Sequence, residues 1–183
     1  SPGDAGSAVG AAQYLYYVNH KNLKDTSDNT QLIQENVYVG PSYSNEEIKS
    51  FLDSKNISYE LLDDITLLQK TSQLIADGNV VGWYQGKMEW GPRALGNRSI
   101  LADPRRADMK NILNAKIKHR ESFRPFAPSI MEEFTSEYFD IQIPSPYMLM
   151  VAPVKKPKEI PAVTHVDGTG RLQTVSKESN ELY

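Results

Sequence analysis

Apolar residues follow two kinds of pattern along most of the chain. Short apolar stretches predict strands, and apolar residues spaced three and four apart predict helices. Strands are predicted at 37–39, 80–84, 99–102, 125–131, 147–154 and 171–175, and those at 80–84 and 99–102 should be buried. Apolar residues spaced three and four apart predict helices after residues 44, 66 and 103. Strands that alternate with helices favour an α/β fold built on a sheet.

Polar capping residues predict where the first two of these helices begin. Ser44 and Glu47 have the spacing of a capping box, and Thr66 and Gln69 repeat it. Gly78 should end the second helix. The apolar faces that we expect to be buried comprise Ile48, Phe51 and Leu52 in one helix and Leu67, Thr71, Leu74 and Ile75 in the other.

The third helix is predicted to start at Asp103 as N-cap, with Pro104 in the first helical position. Its expected buried face consists of Met109, Ile112, Leu113 and Ile117, and its expected polar face consists of Asn111, Asn114 and Lys118. Lys118 should therefore lie at the end of the helix and point away from the core.

The first 36 residues differ in character from the rest. The segment 2–10 predicts a glycine-broken turn that runs into an alanine- and tyrosine-rich helix ending near residue 19. The polar stretch 20–36 is typical of a linker, and we place a domain boundary there. Because the chain starts with Ser1-Pro2, without a methionine or a leader, we expect it to be a piece of a longer protein.

Positive charge is concentrated between Arg93 and Arg124, where nine Lys/Arg stand against three Asp/Glu, in a chain with a net charge of −3. Glycines and prolines interrupt this basic segment, so its backbone is irregular. Such a segment suits an anionic ligand, because guanidinium groups hold phosphate oxygens bidentately. From charge alone, a solvated basic surface is an equally good explanation.

Several site classes are disfavoured. The chain has no cysteine, and its three histidines, His20, His119 and His165, lack the spacing of a zinc site. Neither a Walker-type phosphate loop nor a Gly-x-Gly-x-x-Gly turn occurs. No apolar run of about 18 residues could span a membrane, and we expect a cytoplasmic protein.

Three motifs carry a family resemblance. They are Gly86-Lys-Met-Glu-Trp-Gly-Pro-Arg-Ala-Leu-Gly-Asn-Arg-Ser-Ile-Leu-Ala-Asp-Pro-Arg105, Lys118-His-Arg-Glu-Ser-Phe-Arg-Pro-Phe-Ala-Pro128 and Thr164-His-Val-Asp-Gly-Thr-Gly-Arg-Leu-Gln-Thr-Val175. Residues 36–183 resemble the C-terminal domain of O-carbamoyltransferases of the nodulation-protein and antibiotic-tailoring type. Residues 1–35 resemble the end of the preceding actin-like ATPase-fold domain, followed by a linker.

The resemblance implies a YrdC-like α/β fold, a twisted mixed sheet with flanking helices, incomplete at the C-terminus. It also implies that this domain binds carbamoyl phosphate and ATP, with Mg²⁺, and forms carbamoyl adenylate. The N-terminal domain of the same enzyme, with a transition metal such as iron, would transfer the carbamoyl group to a substrate hydroxyl. Because the family continues with further phosphate-binding residues after the position of Tyr183, we expect the isolated chain to be inactive.

The resemblance also implies site residues. Lys118 and Arg124 match catalytic positions. The residues implied to bind carbamoyl phosphate and ATP are Arg93, Arg98, Lys118, Arg120, Arg124 and Arg171. For two of them an ion pair explains the charge equally well, and the candidate pairs are Arg98 with Asp103 or Glu89 and Arg120 with Glu121 or Glu132.

Other polar residues have weaker assignments. His119 is better explained as a surface residue than as a base. A site role and a turn role are equally balanced for His165 and Asp167, which lie in a glycine-containing stretch before Arg171. Asp4 matches a metal-binding carboxylate of the upstream domain, but by itself it suits a turn.

Two other functions compete with the enzymatic one. The basic segment could bind nucleic acid, although the chain is acidic overall and its aromatic residues are not interleaved with the cations except at Phe123 and Phe126. Alternatively, the domain could be a non-catalytic lid or scaffold. The expected partners are the small-molecule substrates and the N-terminal domain, with no membrane and no nucleic acid.

Overall fold

The computed structural model describes residues 4–19 and 36–183. Its helices are α1 (Asp4–Asn19), α2 (Asn45–Ser54), α3 (Asp64–Ala76), α4 (Met109–Ile112) and α5 (Thr135–Tyr138), with a π-helix at Leu113–Lys118 and a 3₁₀ turn at Glu132–Phe134. Its strands are β1 (Val81–Tyr84), β2 (Arg98–Leu101), β3 (Ser129–Met131), β4 (Val151–Pro153), β5 (Thr169–Arg171) and β6 (Gln173–Val175). This mixture confirms the predicted α/β class. The predicted linker, except Asn36, lies outside the described residues, as does the boundary placed in it.

Helix α1 replaces most of the predicted N-terminal turn. The helix already begins at Asp4 and continues through Gly6 and Gly10, so the prediction of a glycine-broken turn up to residue 10 was wrong. Each glycine costs a helix only about 1 kcal/mol, and the surrounding alanines favour helix formation. The indole Nε1 of Trp90 donates a hydrogen bond to the Ala5 carbonyl at 3.2 Å, which joins α1 to the segment before Arg93.

The capping box of α2 is confirmed, whereas that of α3 was misplaced. The Ser44 amide donates to Glu47 Oε2 at 2.7 Å, and the Glu47 amide donates to Ser44 Oγ at 3.2 Å. Helix α3 instead begins after Asp63, whose Oδ1 accepts the amide of Thr66 at 2.9 Å. A carboxylate is a strong N-cap acceptor, so the helix starts one turn earlier than predicted. Gly78 ends α3 with φ +87°, as predicted.

The predicted buried faces of these two helices were largely wrong. No residue of α2 is buried, and Phe51 is 58% exposed. In α3 only Thr71 is buried. The spacing of apolar residues predicts which side of a helix is apolar, but it does not supply the neighbouring element that would cover that side.

Strands β1 and β2 enclose the glycine- and proline-containing loop 85–97, which carries Arg93. They pair antiparallel, with Val81 opposite Leu101 and Tyr84 opposite Arg98. Both strands were predicted within a residue or two. The strand predicted at 37–39 does not form; instead the Val37 carbonyl accepts the amide of Trp90 at 2.6 Å.

Residues 169–175 contain two consecutive strands, β5 and β6, which pair with different partners. Strand β5 pairs antiparallel with β4, and β6 then pairs parallel with β3. Leu172 lies where the pairing changes partner and is fully buried. It packs in the main core with Phe139, Val154 and Ile160. The pairing places Arg171 at the end of β5, opposite Val151.

The helix predicted after Asp103 begins later than expected. Asp103 does not cap it; its carboxylate accepts three hydrogen bonds from Arg105, at 2.7–2.9 Å. Helix α4 starts at Met109 and passes into the π-helix. A π-helix has more residues per turn than an α-helix, so the faces shift. Asn114 is therefore buried, at 1% exposure, and Ile117 is exposed, the reverse of the prediction.

Candidate anion-binding site

The loop between β1 and β2, residues 85–97, is built around the carboxylate of Glu89, which is fully buried. We call it the Glu89 loop. Glu89 Oε1 accepts the backbone amides of Leu95 at 2.6 Å and Asn97 at 2.9 Å, with that of Arg98 at 3.3 Å. Its Oε2 accepts Arg98 Nε at 2.7 Å. The loop takes this path because Gly91 and Gly96 have φ of +118° and +112°, values that glycine favours.

Burial alone would raise the pKa of Glu89, but the hydrogen bonds from Leu95, Arg98 and Asn97 outweigh it and lower the pKa below its ordinary value. Amide and guanidinium donors stabilise the charged form of a carboxylate. Glu89 is therefore ionised at neutral pH, and the loop holds a negative charge of its own.

Arg93 lies in this loop, and Arg171 is the last residue of β5. Arg93 Nε donates to the Met148 carbonyl at 3.4 Å. Burial lowers the pKa of Arg171, and the nearby positive charge of Arg93 lowers it further. The positive charge of Arg93 therefore acts on the Arg171 guanidinium, although the two residues lie far apart in the chain.

These two cations lack counter-ions among the described residues. No carboxylate of residues 4–19 or 36–183 forms an ion pair with Arg93 or Arg171. The Nε of Arg171 is also buried without a hydrogen-bond partner. Two like charges held together with an unsatisfied donor are costly unless an anion joins them. A phosphate group, with two negative charges and several acceptor oxygens, has the chemistry that this pair requires.

Arg98 has the ion pair with Glu89 that the sequence left open as an alternative to ligand binding. Its terminal nitrogen also lies 3.2 Å from the Glu89 carbonyl and 3.4 Å from the Gly91 carbonyl. The guanidinium thus closes the loop on itself. In this conformation Nε and one terminal nitrogen of Arg98 bind protein groups.

A second group of cations surrounds the buried amide of Asn114. Asn114 Oδ1 accepts Arg120 Nε at 2.7 Å, and its Nδ2 donates to the carbonyls of Ser122 at 3.3 Å and Arg124 at 2.9 Å. The guanidinium of Arg120 also lies 4.7 Å from the centre of the Phe126 ring. Arg120 is therefore anchored by Asn114 and Phe126, and the predicted pair with Glu121 or Glu132 does not occur.

The two catalytic candidates at the ends of this group are exposed. Lys118 is the last residue of the π-helix, and no carboxylate in the described part of the chain pairs with it. Arg124 Nε forms an exposed ion pair with Glu121 Oε2 at 2.8 Å. Exposed pairs contribute about 0–1 kcal/mol, so Arg124 can exchange Glu121 for a phosphate at little cost. No hydrogen bond of the described residues joins this group to Arg93 and Arg171.

The histidines and acids that the sequence left undecided have local partners. His119 is exposed and ends the π-helix with φ +48°. Asp167 Oδ1 accepts the amide and the hydroxyl of Thr169, at 3.0 and 2.7 Å. Since the Thr169 proton points to Asp167, its oxygen accepts from His165 Nδ1 at 3.1 Å. His165 and Asp167 thus shape the turn before β5.

Asp4 begins α1. Within the described ranges no group of three or more His, Asp or Glu residues could hold a metal ion. The assignment of Asp4 to a metal site of an upstream domain stays a prediction.

A pocket of about 400 Å³ lies beside the Glu89 loop. Tyr38 and Gln173 line it, and both donate hydrogen bonds to the Leu95 carbonyl, at 2.7 and 2.9 Å. Glu132 and Glu178 also line the pocket, and their charges oppose the binding of a phosphate there.

Sequence reasoning missed the roles of Glu89 and Asn114. Glu89 entered only as a possible ion-pair partner of Arg98, and Asn114 was assigned to a solvated face. A lone acid beside a glycine-rich cationic turn was the available signal for Glu89. No comparable signal existed for Asn114, because its burial depends on the π-helix.

No helix in the described part of the chain has the length and apolar character needed to cross a membrane.

Comparison with known proteins agrees with the motifs. The family model described as carbamoyltransferase C-terminus matches residues 72–183. Relatives include an uncharacterized protein of Synechocystis sp., 41% identical over 99% of this chain and 33% of its own length. Nodulation protein NolNO of Sinorhizobium fredii is 45% identical over 98% of this chain and 26% of its own length. Nodulation protein U of Rhizobium fredii is 35% identical over 97% of this chain and 28% of its own length.

The chain spans about a third or less of the length of these relatives. The match nevertheless covers more than half of this chain and includes the Glu89 loop, both groups of cations and Arg171. The family predicted from the motifs is therefore confirmed: the chain belongs to the carbamoyltransferase C-terminus family.

Proposed function

We propose that this chain is the part of an ATP-dependent O-carbamoyltransferase that binds carbamoyl phosphate and ATP and forms carbamoyl adenylate. The observation that carries the proposal is the pair of guanidinium groups of Arg93 and Arg171, which have no carboxylate partner among the described residues. Both proposed substrates present phosphate groups, and the family acts on carbamoyl groups.

The proposed reaction balances with water as a co-reactant. Water takes the phosphoryl group of carbamoyl phosphate, which leaves as inorganic phosphate and releases carbamate. A carbamate oxygen then attacks the α-phosphorus of ATP, and the bond to the β-phosphate bridging oxygen breaks. Pyrophosphate leaves with its electron pair, and carbamoyl adenylate remains. Negative charge is present on phosphate oxygens throughout, so fixed cations are the groups that this chemistry needs.

The two groups of cations suit different tasks in this scheme. Arg93 and Arg171 are held by their surroundings, which suits the binding of a phosphate in a fixed position. Lys118 is exposed and Arg124 is held only by an exposed ion pair, which suits contacts to charge that develops during adenylyl transfer. Arg120 positions the second group through Asn114.

In the whole enzyme, we propose, the adenylate passes to an N-terminal domain, where a substrate hydroxyl attacks the carbamoyl carbon and AMP leaves. ATP would enter with Mg²⁺, and a transition metal such as iron would belong to the N-terminal domain. The relatives are about three times the length of this chain or more, so they have room for such a domain.

The distribution of ion pairs disfavours nucleic-acid binding. Four of the nine cations between positions 93 and 124 are paired with carboxylates, namely Arg98, Arg105, Arg106 and Arg124. A surface that tracks a nucleic-acid backbone needs its cations free for successive phosphates. A scaffold role does not require an unpaired guanidinium pair, which costs stability.

Pyrophosphate exchange in the full-length enzyme tests the proposal. Carbamoyl phosphate should be required for exchange of labelled pyrophosphate into ATP, and Arg93→Ala and Arg171→Ala should each reduce exchange by about tenfold to a hundredfold. Arg106→Ala removes a cation of the same segment that is paired with Asp108, so it serves as the control and should retain activity. Exchange that does not depend on carbamoyl phosphate, or equal losses in all three variants, would contradict the proposal.

A further inference from the structure

The backbone amides of residues 95–98, in and just after the Glu89 loop, are already occupied. A loop that turns its N–H groups inward around glycines normally offers them to an anion such as phosphate. Here the amides of Leu95, Asn97 and Arg98 converge on Glu89 Oε1, at 2.6–3.3 Å. The amide of Gly96 donates to Ser99 Oγ at 3.0 Å. The anion in this loop is therefore a side chain of the protein itself.

The absence of a side chain at Gly96 allows close packing of neighbouring protein groups; it does not open the backbone to a ligand. A Cβ at Gly96 would meet Asn180 Nδ2 and the Tyr183 ring, each at 2.8 Å. The Asn180 amide also donates to Asn97 Oδ1 at 3.0 Å. That side of the loop is covered by protein, so a ligand contacts the side chains of the loop and not its backbone on that side.

We infer that Glu89 is the positioning residue of the anion site: its carboxylate occupies the amides of residues 95, 97 and 98, so that the loop binds a phosphate through the Arg93 guanidinium and not through these amides. The inference rests on the proposed function only in taking the anion to be a phosphate. Glu89 touches no substrate; it acts by fixing the backbone from which Arg93 extends.

Both carboxylate oxygens are needed for this task. Oε1 accepts the loop amides while Oε2 accepts Arg98, whose guanidinium also reaches the Glu89 and Gly91 carbonyls. A glutamine has one acceptor oxygen and one donor nitrogen. Glu89→Gln would therefore place an NH₂ group against either the loop amides or Arg98. The hydrogen bonds to that set of donors would be lost.

A wild-type measurement tests the inference without any variant. In the full-length protein, hydrogen–deuterium exchange of the segment 94–98 should be slow before ligand is added, because Leu95 and Asn97 already have an acceptor. Inorganic phosphate should bind without slowing that exchange further. Fast exchange that becomes slow only when phosphate is added would overturn the inference, since the backbone amides would then be the ligand donors.

Variants supply the second test, with Asp103→Asn as the matched control. Asp103 is also buried and paired with an arginine, but it lies outside the loop. Glu89→Gln should speed exchange in 94–98 and weaken inorganic phosphate binding by about tenfold. Asp103→Asn should leave phosphate affinity unchanged. Equal phosphate affinity in the two variants, or weaker binding with unchanged exchange, would overturn the inference.

The two hypotheses fail in different ways. If wild type binds phosphate in the Glu89-dependent manner described but shows no pyrophosphate exchange dependent on carbamoyl phosphate, the proposed function fails and the inference stands. If exchange is dependent on carbamoyl phosphate but Glu89→Gln behaves as Asp103→Asn does, the inference fails and the proposed function stands.

Discussion

The ring of Tyr183 packs against Gly96 so closely that a Cβ at position 96 would lie 2.8 Å from the Tyr183 Cδ1 atom. Tyr183 is held there by a hydrogen bond of 2.7 Å between its hydroxyl and that of Ser129. Gly96 also has φ +112°, which strains any other residue. Through Tyr183, the Glu89 loop is thus joined to Ser129 on strand β3.

Gly96→Ala should therefore lower the free energy of unfolding by about 1–3 kcal/mol, through backbone strain and the displacement of Tyr183. The control is Gly10→Ala, because Gly10 lies within helix α1 with open space around it. Alanine should stabilise that position by about 0.5–1 kcal/mol. Urea unfolding measures both; a Gly96→Ala protein as stable as wild type would contradict the close packing.

Phe139→Ala should cost about 3–5 kcal/mol of unfolding free energy, because Phe139 is 1% exposed in the core that anchors β4 and β5. Phe123 is 73% exposed in the basic segment, and Phe123→Ala should change stability by less than about 0.5 kcal/mol. Thermal unfolding compares the two variants. Similar melting temperatures for both would mean that the core is not centred on Phe139.

Arg93→Lys should lose much of the activity that Arg93→Ala loses, because a lysine keeps the charge but not the two-pronged geometry of a guanidinium. The measurement is pyrophosphate exchange dependent on carbamoyl phosphate by the full-length enzyme at two salt concentrations. Near-wild-type exchange by Arg93→Lys, together with a loss in Arg93→Ala that fades at high salt, would leave only long-range attraction and refute a ligand role.

Lys118→Ala and Arg124→Ala should each remove a charge-assisted contact worth about 1.5–3 kcal/mol, or roughly tenfold to a hundredfold in binding or rate. Lys110 lies one turn before the π-helix and matches no ligand position, so Lys110→Ala should be nearly silent. Single-turnover formation of adenylate by the full-length enzyme separates binding from chemistry. Equal behaviour of the three variants would indicate a diffuse electrostatic surface.

Glu89 should contribute stability at neutral pH that is lost on acidification. Its folded pKa is lowered, since the donors from Leu95, Arg98 and Asn97 outweigh the effect of burial. A group with a lowered folded pKa stabilises fully above its unfolded pKa, about 4.3 for Glu, and the contribution disappears as pH falls through the folded pKa. The difference in unfolding free energy between wild type and Glu89→Gln should thus be constant above about pH 5.5 and shrink below it. A difference that grew on acidification would have the wrong sign.

The sequence by itself determined the features that depend on near neighbours. The capping box at Ser44 and the helix end at Gly78 need only residues within one turn, and strands β1 and β2 follow from short apolar runs. The motifs also identified the family, because long runs of matching residues do not depend on knowing the fold.

Predictions from neighbouring residues failed where two possible N-caps competed for one helix. They also failed where the additional residues per turn of the π-helix changed which side chains share a face. Asp63 outcompeted Thr66 as the cap of α3, because its carboxylate is the better acceptor. The π-helix turned Asn114 into the core and Ile117 towards solvent. Periodicity assumes a constant number of residues per turn, and a π-helix violates that assumption.

The tertiary structure alone decided which charges pair and which do not. The sequence left Arg98 open between a ligand role and an ion pair, and the structure pairs it with the buried Glu89. Arg93 has no carboxylate partner among the described residues, and its charge acts on Arg171, which is distant in the chain. Burial removes the solvent that would otherwise screen these charges, so their energies depend on contacts made by residues far apart in the chain. Such contacts exist only once β5 and the Glu89 loop have folded against their neighbours.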